Sequence, residues 1–549
     1  MQNLKKPIGR LLTWLDNNLL FVISLFLLVF IPLYPKLPLS DILPGYIVRL
    51  RLEDLFILLS AIIYGIWWLR RKVQPTKNPL FWLVAIYLAI GLISGIVAIF
   101  VIKTIPLQTI HVAKWALHFG RRIEYMFMLF LVFDAVKTKN QLKAILIALL
   151  LVIVGATIYG FGQKYYQWPV YSTMNREFSK GWRLVLTEHA RVPSTFAGHY
   201  DLAAYLVFLL PITLVTAIFS ANWVVGKFGW IAFVSGYTLL ILTASRASFI
   251  SYVISMIILF TAILMIRNWK FVLPRFIGVA VFSTAVFLTF GDLSGRFAHI
   301  INLSGVKGFV ENNIFRMDKN APRNYLALTD QLALVADKTD VPPVKFIEGQ
   351  GTRNNGQRSE NGEPATGSAL PPDVYEEIPL PLSSTSATGK LSVTYGQRSY
   401  SDAAFAYGLS SAIRFDALWP RAIAGFKRNP FLGTGYSTLT KVQVTDFTEA
   451  ESTDNDYLRS LGETGLLGFI GFFGTIGYTL YYFWKNQFRF KSKLYRSILM
   501  AIAAGVIGLL INATYIDVFE ASKVAFTFWG IVGLGMAMGR IQVQESKRK

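Results

Sequence analysis

Apolar residues recur along this chain in blocks of about 17 to 25 residues, and this repeat constrains the fold more than any other feature. A helix needs about 20 such residues to cross the ~30 Å hydrocarbon layer of a bilayer. The chain has 549 residues, of which 53% are hydrophobic, and a single soluble core cannot bury so much apolar surface. The sequence therefore predicts an all-α polytopic membrane protein.

Windows of this length predict about twelve transmembrane helices. They lie near residues 17–34, 53–69, 79–101, 121–135, 143–162, 200–219, 229–244, 247–266, 276–291, 464–484, 497–516 and 523–539. No small-residue cleavage site follows the first of them, so we expect an uncleaved signal anchor there.

The basic residues predict the orientation of these helices. The chain has 54 Lys and Arg residues against 32 Asp and Glu, a net charge of +22. About 23 basic and only about 3 acidic residues fall in the termini and short loops of one predicted side, and such loops face the cytoplasm. We therefore expect both termini in the cytoplasm. The charge marks topology and does not indicate a nucleic-acid surface.

Three parts of the chain are distinguished by composition. They are 1–291, with helices one to nine and an aromatic outer loop at 163–199; 292–463, a large extracytoplasmic loop between helices nine and ten; and 464–549, with helices ten to twelve and a basic cytoplasmic tail. Within the large loop, residues 338–396 are rich in Pro, Gly, Ser and Asn, which predicts a mobile low-complexity insertion. Residues 397–463 regain helical apolar spacing and carry candidate site residues. Cysteine is absent, which excludes disulfides and thiolate chemistry.

The stretch "TDNDYLRSLGETGLLGF", residues 453–469, places acids directly before a predicted span. One interpretation is structural: Thr453 and Asp456 fit a capping box, and Asp456, Arg459 and Glu463 fit helix-surface pairs. A second is catalytic. A third is a divalent-cation pair formed by Asp454 and Asp456.

Arg246, in the hairpin "TASRAS", lies at the predicted outer membrane surface with Ser245 and Ser248 beside it. It either orients the hairpin or clamps an anion, because a guanidinium grips phosphate through a planar fork of donors. In the large loop, Arg414 and Arg421 belong to a basic helix that precedes a Pro-x-x-Gly-x-Gly turn. That helix is also consistent with an amphipathic surface helix and an ordinary turn.

Taken together, these pieces resemble the O-antigen ligase/polymerase superfamily of bacterial envelope glycan enzymes. The resemblance rests on "RLEDLFILL", on "RVPSTFAGHYDLAAYLVFLLP", on "SRAS", and on Arg414, Trp419, Pro430, Gly433 and Gly435 leading to "DNDYLRSLGETGLLGF". Asp454 stands before Asn455 where ligases of the superfamily carry a histidine before the asparagine. His189 and His199, which flank Arg191 on the first outer loop, are candidates for the missing imidazole.

The resemblance implies a glycosyltransferase of the bacterial inner membrane, inverting and independent of metal and cofactor, with an extracytoplasmic active face. Its donor would be a polyprenyl-diphosphate-linked glycan, and its acceptor a glycan, lipid or protein hydroxyl; its other partner would be membrane lipid, with no nucleic acid. Arg246 and Arg414 match the superfamily's catalytic arginines, and Asp454 is the candidate base. The expected substrate-binding residues are Arg191, His199, Arg421, Ser245, Ser248, Asn455, Asp456 and Glu463.

Other functions remain open at this stage. A ligase and a polymerase differ in the acceptor, and a protein O-oligosaccharyltransferase would use a protein side chain. A transporter or flippase of the same lipid would place charges near the middle of the membrane, whereas most predicted spans lack ionisable residues in their central thirds. A scaffold protein would leave the pattern of Arg246 and Arg414 without explanation.

Overall fold

The fold is described by a computed structural model covering residues 2–42, 49–173, 181, 183–187, 190–295, 297, 380–385, 391–396, 414–439 and 453–548. Thirteen α-helices occur in these ranges: α1 Gln2–Leu33, α2 Leu52–Leu69, α3 Phe81–Phe100, α4 Thr109–Ala135, α5 Lys139–Tyr166, α6 His199–Phe219, α7 Trp223–Leu242, α8 Arg246–Leu264, α9 Trp269–Thr289, α10 Trp419–Arg428, α11 Asp456–Gln487, α12 Lys493–Asn512 and α13 Ser522–Arg548.

Eleven of the described helices are long and apolar enough to cross a membrane, so the chain is an all-α polytopic membrane protein. About twelve spans were expected, and the difference is α4, which contains the predicted span 121–135. This helix carries Arg121 and Arg122, which form ion pairs with residues of other helices and of their connections. The positive charges of Arg121 and Arg122 are therefore paired inside the protein, although they lower the hydropathy of α4.

Strands are few among the described residues. β1 Pro38–Asp41 pairs with β2 Arg49–Arg51, and β3 Leu380–Thr385 pairs with β4 Leu391–Gly396, both antiparallel. The second hairpin lies within 338–396, where the sequence predicts an insertion; the rest of that stretch lies outside the described residues. Of the predicted site-bearing segment 397–463, residues 414–439 and 453–463 are described.

Hydrogen bonds join the ends of the long helices in two groups, which we treat as two ends of the bundle. We call the loop end the one where α6, α8, α11 and α13 begin. The Lys523 ammonium, in the first turn of α13, donates there to the carbonyl oxygens of Pro32, Tyr34 and Thr195 at 3.0, 2.6 and 2.7 Å. The beginning of α13 is thereby joined to the end of α1 and to the segment before α6.

The opposite end, which we call the basic end, carries the short loops rich in Lys and Arg. At this end the Arg540 guanidinium donates a hydrogen bond to the carbonyl oxygen of Val136 at 2.8 Å. The side-chain amide of Gln141 donates to the Asn18 side-chain oxygen at 3.1 Å. α13 and α6 form the centre of the bundle, with 94% and 83% of their apolar segments buried, whereas α9 at the periphery has 11% buried. The loop end therefore rests on a bundle whose central helices are mostly buried.

Candidate functional site

The acidic segment before α11 is held by a carboxylate from another connection. Asp517, between α12 and α13, accepts the backbone N–H of Thr453 at 2.9 Å and that of Asn455 at 2.8 Å. Asp454, between these two amides, adopts a left-handed conformation with φ of 51°. Asp is one of the few residues that tolerate this conformation, because its short polar side chain bonds locally.

Asp454 meets Arg414 at this turn. A guanidinium nitrogen of Arg414 lies 2.9 Å from a carboxylate oxygen of Asp454, and the guanidinium lies 4.3 Å from the ring centroid of Tyr515. The side chain of Arg414 is 3% exposed and that of Asp454 is 30% exposed. Two residues far apart in the sequence, both predicted as catalytic, are therefore in direct contact, and the carboxylate is open to solvent.

Arg191 forms a second basic group where α6 begins. Its guanidinium lies 2.9 Å from His199 Nε2 and 3.0 Å from the hydroxyl oxygen of Tyr200. Because arginine has no acceptor, His199 Nε2 must accept this hydrogen bond, and the ring is neutral with its proton on Nδ1. His199 is buried, and its Nε2 is already engaged. It is therefore poorly suited to replace the ligase histidine as a base.

Arg246 begins α8, and its side chain is half-buried. Within the described part of the chain Arg246 forms no ion pair. Ser245 caps the helix and donates to the Ser248 hydroxyl at 2.8 Å, and Asn512 of α12 donates to Ser248 at 3.0 Å. Both serines are buried. The geometry therefore favours a structural role for these serines over the expected contact with substrate. In that role they hold Arg246 near the end of α12.

The other acids expected to bind substrate belong to a buried ionic network. Asn455 is the N-cap of α11 and accepts the N–H of Leu458 at 2.9 Å, so the helix cap is Asn455 and not the capping box expected from Thr453. Asp456 accepts the N–H of Phe519 at 3.2 Å. Glu463 accepts the N–H of Ser437 at 3.0 Å.

Two arginines complete this network. Arg459 pairs with Asp517 at 2.9 Å and with Glu463 at 3.4 Å, and Arg122 of α4 pairs with Glu463 at 3.4 Å and with Glu520. Asp456 and Glu463 are 6% and 2% exposed, so the pairs expected on the helix surface are internal. A cavity of about 30 Å³ lies among these side chains and is too small for a sugar. The buried network therefore holds the segment around Asp454 in place through Asp517, which binds both that segment and Arg459.

The Pro-x-x-Gly-x-Gly turn fills a break in α11. Gly465 has a φ of 65° and interrupts the helix, and the amides of Leu466 and Leu467 donate to the carbonyl oxygens of Pro430 and Phe431 at 2.8 and 3.2 Å. In return, the carbonyl oxygens of Gly462 and Glu463 accept the amides of Thr434 and Gly435 at 2.9 and 2.8 Å. Four backbone hydrogen bonds to the turn thus compensate for the helical bonds that the break removes.

Glycine is required on both sides of this contact. A Cβ at Gly433 would lie 2.4 Å from the carbonyl carbon of Glu463, and a Cβ at Gly465 would lie 2.4 Å from that of Phe431. Both glycines also have positive φ. The turn therefore ties α10 and Arg414 to α11 and Asp454, which the sequence presented as separate motifs.

Three further predictions concern nearby residues. Arg421 lies on α10, half-buried. His189 lies outside the described residues. The carboxylates of Asp454 and Asp456 bind different partners, Arg414 and the Phe519 amide, which argues against a cation shared between them.

Sequence reasoning missed several residues of this region. Asp517 and Tyr515 fall at the end of a predicted span, where a polar run, "TYID", was the available signal. Asp201, two residues after His199, is half-buried, and in the described ranges it makes no hydrogen bond. It lies within electrostatic range of Asp454 and of three cations, Lys36, Arg51 and Lys523. It is thus a second carboxylate within electrostatic range of the candidate base.

Lys36 is one of the three cations within electrostatic range of Asp201. Its ammonium pairs with Glu53 at 2.8 Å and contacts the Ser522 hydroxyl. Burial lowers the pKa of Lys36 to about 8, and the neighbouring Glu53 carboxylate only partly opposes this effect. The ammonium is therefore charged at neutral pH and becomes neutral under mildly alkaline conditions.

In a comparison with known protein families, residues 382–473 match the model described as O-antigen ligase. No curated protein matches the chain. The matched stretch contains Arg414, the Pro-x-x-Gly-x-Gly turn, Asp454 and the first half of α11. Of the motifs on which the resemblance rested, the one that runs from Arg414 to "DNDYLRSLGETGLLGF" falls in the matched region, together with the contact between Arg414 and Asp454, whereas the three earlier motifs lie outside it. The match confirms the resemblance to the O-antigen ligase/polymerase superfamily.

Proposed function

We propose that this chain transfers a glycan from a polyprenyl-diphosphate donor to an acceptor hydroxyl at the loop end, on the extracytoplasmic side of a bacterial inner membrane. The observation that carries the proposal is the contact of Arg414 with Asp454 inside the region that matches an O-antigen ligase. Arg191, whose neighbour Tyr200 lies within electrostatic range of both residues, adds a second cation.

The chemistry of the leaving group determines the role of the arginines. The bond between the sugar C1 and the diphosphate oxygen breaks, and its electron pair stays on the diphosphate. Preorganised cations stabilise such developing charge most where water is excluded. Arg414 is buried and stacked on Tyr515, so its position is fixed before the donor arrives. Arg246 has no partner among the described residues and would complete the clamp.

The acceptor hydroxyl attacks C1 from the face opposite the diphosphate, which inverts the anomeric centre. Its proton passes to the Asp454 carboxylate as the new C–O bond forms. A carboxylate paired with arginine is a weak base, which suffices when departure of the leaving group precedes proton transfer. Arg414 would then serve both partners, because it holds Asp454 and faces the developing negative charge.

A flippase of the same lipid is the main alternative function. Such proteins place charges or broken helices near the middle of the membrane. The break in α11 lies nine residues after the helix begins, near the loop end, and it is filled by the Pro430–Gly435 turn. The described charges of the candidate site gather at the same end, which favours chemistry at the membrane surface over passage through the bundle.

The deciding experiment measures envelope glycan transfer in cells that carry Arg246→Ala or Asp454→Ala, at equal membrane abundance. Loss of transfer with lipid-linked donor accumulating on the outer leaflet supports the transferase. Donor stranded on the inner leaflet would indicate a flippase, and full transfer by both variants would remove the proposed catalytic roles.

The acceptor distinguishes the finer possibilities. The purified protein would be incubated with lipid-linked donor in three separate reactions. Each reaction would contain one acceptor: a lipid core, a second repeat unit or a peptide bearing hydroxyl side chains. Glycan attached to the lipid core would indicate a ligase, and a lengthened glycan on the lipid carrier would indicate a polymerase. A glycosylated peptide would indicate a protein O-oligosaccharyltransferase.

A further inference from the structure

α10 has two flanks of different chemistry beside the face that packs on the bundle. Ala422 and Gly425 face the protein. Trp419, Ile423 and Phe426 follow one another at helical spacing along one flank, and Ile423 is 42% exposed. Arg421, Ala424 and Arg428 lie along the other flank. The helix is thus apolar on one side and basic on the other.

The apolar flank continues into the exposed surface of a membrane-spanning helix. Phe431, just after α10, is 65% exposed, and its carbonyl oxygen accepts the amide of Leu467. Leu466, Leu467 and Ile470 are exposed on α11, which is apolar enough to span a bilayer. The exposed aromatic ring therefore lies next to side chains that face lipid.

We propose that α10 and the adjoining Phe431 lie in the interfacial layer of the bilayer, with Ile423 and Phe431 inserted among the lipid chains. Helices of this kind rest in the membrane plane with the apolar side buried and the basic side toward the headgroups. Lys427, which is exposed, is placed to reach lipid phosphates through its flexible stem, whereas the guanidinium of Arg428 donates to the carbonyl oxygen of Ile102 at 3.3 Å. The occupant of this surface is membrane lipid, because the surface is continuous with the lipid-facing side of α11.

This placement fixes the depth of Arg414, since a π-helical turn, Arg414–Leu418, leads directly into α10. The guanidinium would lie close to the level of lipid phosphates, where the diphosphate of a lipid-linked donor also lies. That consequence rests on the proposed function, whereas the membrane contact of α10 does not.

The absence of cysteine makes a direct test possible, because any introduced cysteine is unique. Ile423→Cys, Phe431→Cys and the matched control Ala424→Cys would each carry a nitroxide label. The full chain would be reconstituted in vesicles of phosphatidylethanolamine and phosphatidylglycerol. Accessibility to oxygen, which concentrates in lipid, and to a water-soluble nickel chelate would be measured by electron paramagnetic resonance.

We expect the ratio of oxygen to nickel accessibility to be several-fold higher at 423 and 431 than at 424. A ratio at 423 equal to or below that at 424 would overturn the proposal. So would a label at 423 that is shielded from both reagents, which would mean that protein covers the flank; spin–spin broadening would then identify a second copy. Thermal unfolding of each labelled chain confirms that the fold is intact, and glycan transfer is not part of this readout.

Discussion

Asp517 holds Asp454 in place by accepting the backbone N–H groups on both of its sides, at 2.9 and 2.8 Å. The same carboxylate pairs with Arg459 at 2.9 Å. One side chain thus joins the turn that carries the candidate base to the buried network below it. The orientation of Asp454 depends on a residue of a different connection.

Asp517→Asn should destabilise the protein by about 2–4 kcal/mol, because an amide offers one acceptor where two N–H groups need one each, and Arg459 loses a buried partner. Thermal unfolding in detergent would measure this, together with glycan transfer. Asp16→Asn is the control, since Asp16 forms a surface pair at the basic end, and such pairs contribute at most about 1 kcal/mol. Equal effects of the two changes would refute the structural importance of Asp517.

Asp454→Asn should lower the rate of glycan transfer by about 10²–10⁴-fold and leave thermal stability near that of the wild type. Asparagine tolerates the left-handed conformation and still accepts a hydrogen bond from Arg414, so the loss is of the base alone. Asp454→His should recover part of the activity, because ligases of the superfamily carry histidine there. Undiminished transfer by Asp454→Asn would exclude this residue as the base.

Arg414→Lys should reduce transfer even though the charge is retained. A lysine has neither the planar fork that pairs with phosphate nor the flat face that stacks on Tyr515. Arg421→Lys is the matched comparison, and it should cost little. A larger loss from Arg421→Lys than from Arg414→Lys would transfer the proposed role to Arg421.

Gly465→Ala should destabilise the fold by about 3 kcal/mol or more, because φ is positive and the new Cβ would lie 2.4 Å from the Phe431 carbonyl carbon. Gly474→Ala, on the same helix with nothing within 4 Å, should be neutral or stabilise by roughly 0.5–1 kcal/mol. Melting temperatures of the two variants would decide. Similar values would mean that the turn does not depend on close contact at Gly465.

The stability of the wild type relative to Lys36→Met should rise between about pH 8 and pH 10.5. In the folded protein the pKa of Lys36 is lowered to about 8, whereas the unfolded chain keeps the ordinary 10.5, so the unfolded state binds more protons in this interval. The gain is about 1.4 kcal/mol per pH unit. Denaturant unfolding at several pH values would measure it, and a flat difference across the interval would contradict a lowered pKa.

Much of the fold could be predicted from the sequence, because membrane spans depend on local composition. Eleven of the expected spans coincide with apolar helices of the structure, and the exception, around residues 121–135, is a helix whose Arg121 and Arg122 pair with carboxylates elsewhere. The partners of such charges are far away in the sequence. A hydropathy window therefore cannot distinguish an unpaired charge, whose burial in the membrane is unfavourable, from a charge that is neutralised by a distant partner.

The site was predictable only in part, for the same reason. The sequence by itself determined the class of the protein, its resemblance to the superfamily and the candidacy of Arg414 and Asp454, since these depend on residue types in order. Only the tertiary structure decided that Asp456 and Glu463 are internal, that Ser245 caps a helix while Ser248 bonds to Asn512, and that Asp517 orients Asp454. Those roles arise from long-range hydrogen bonds and burial, which local pattern does not encode.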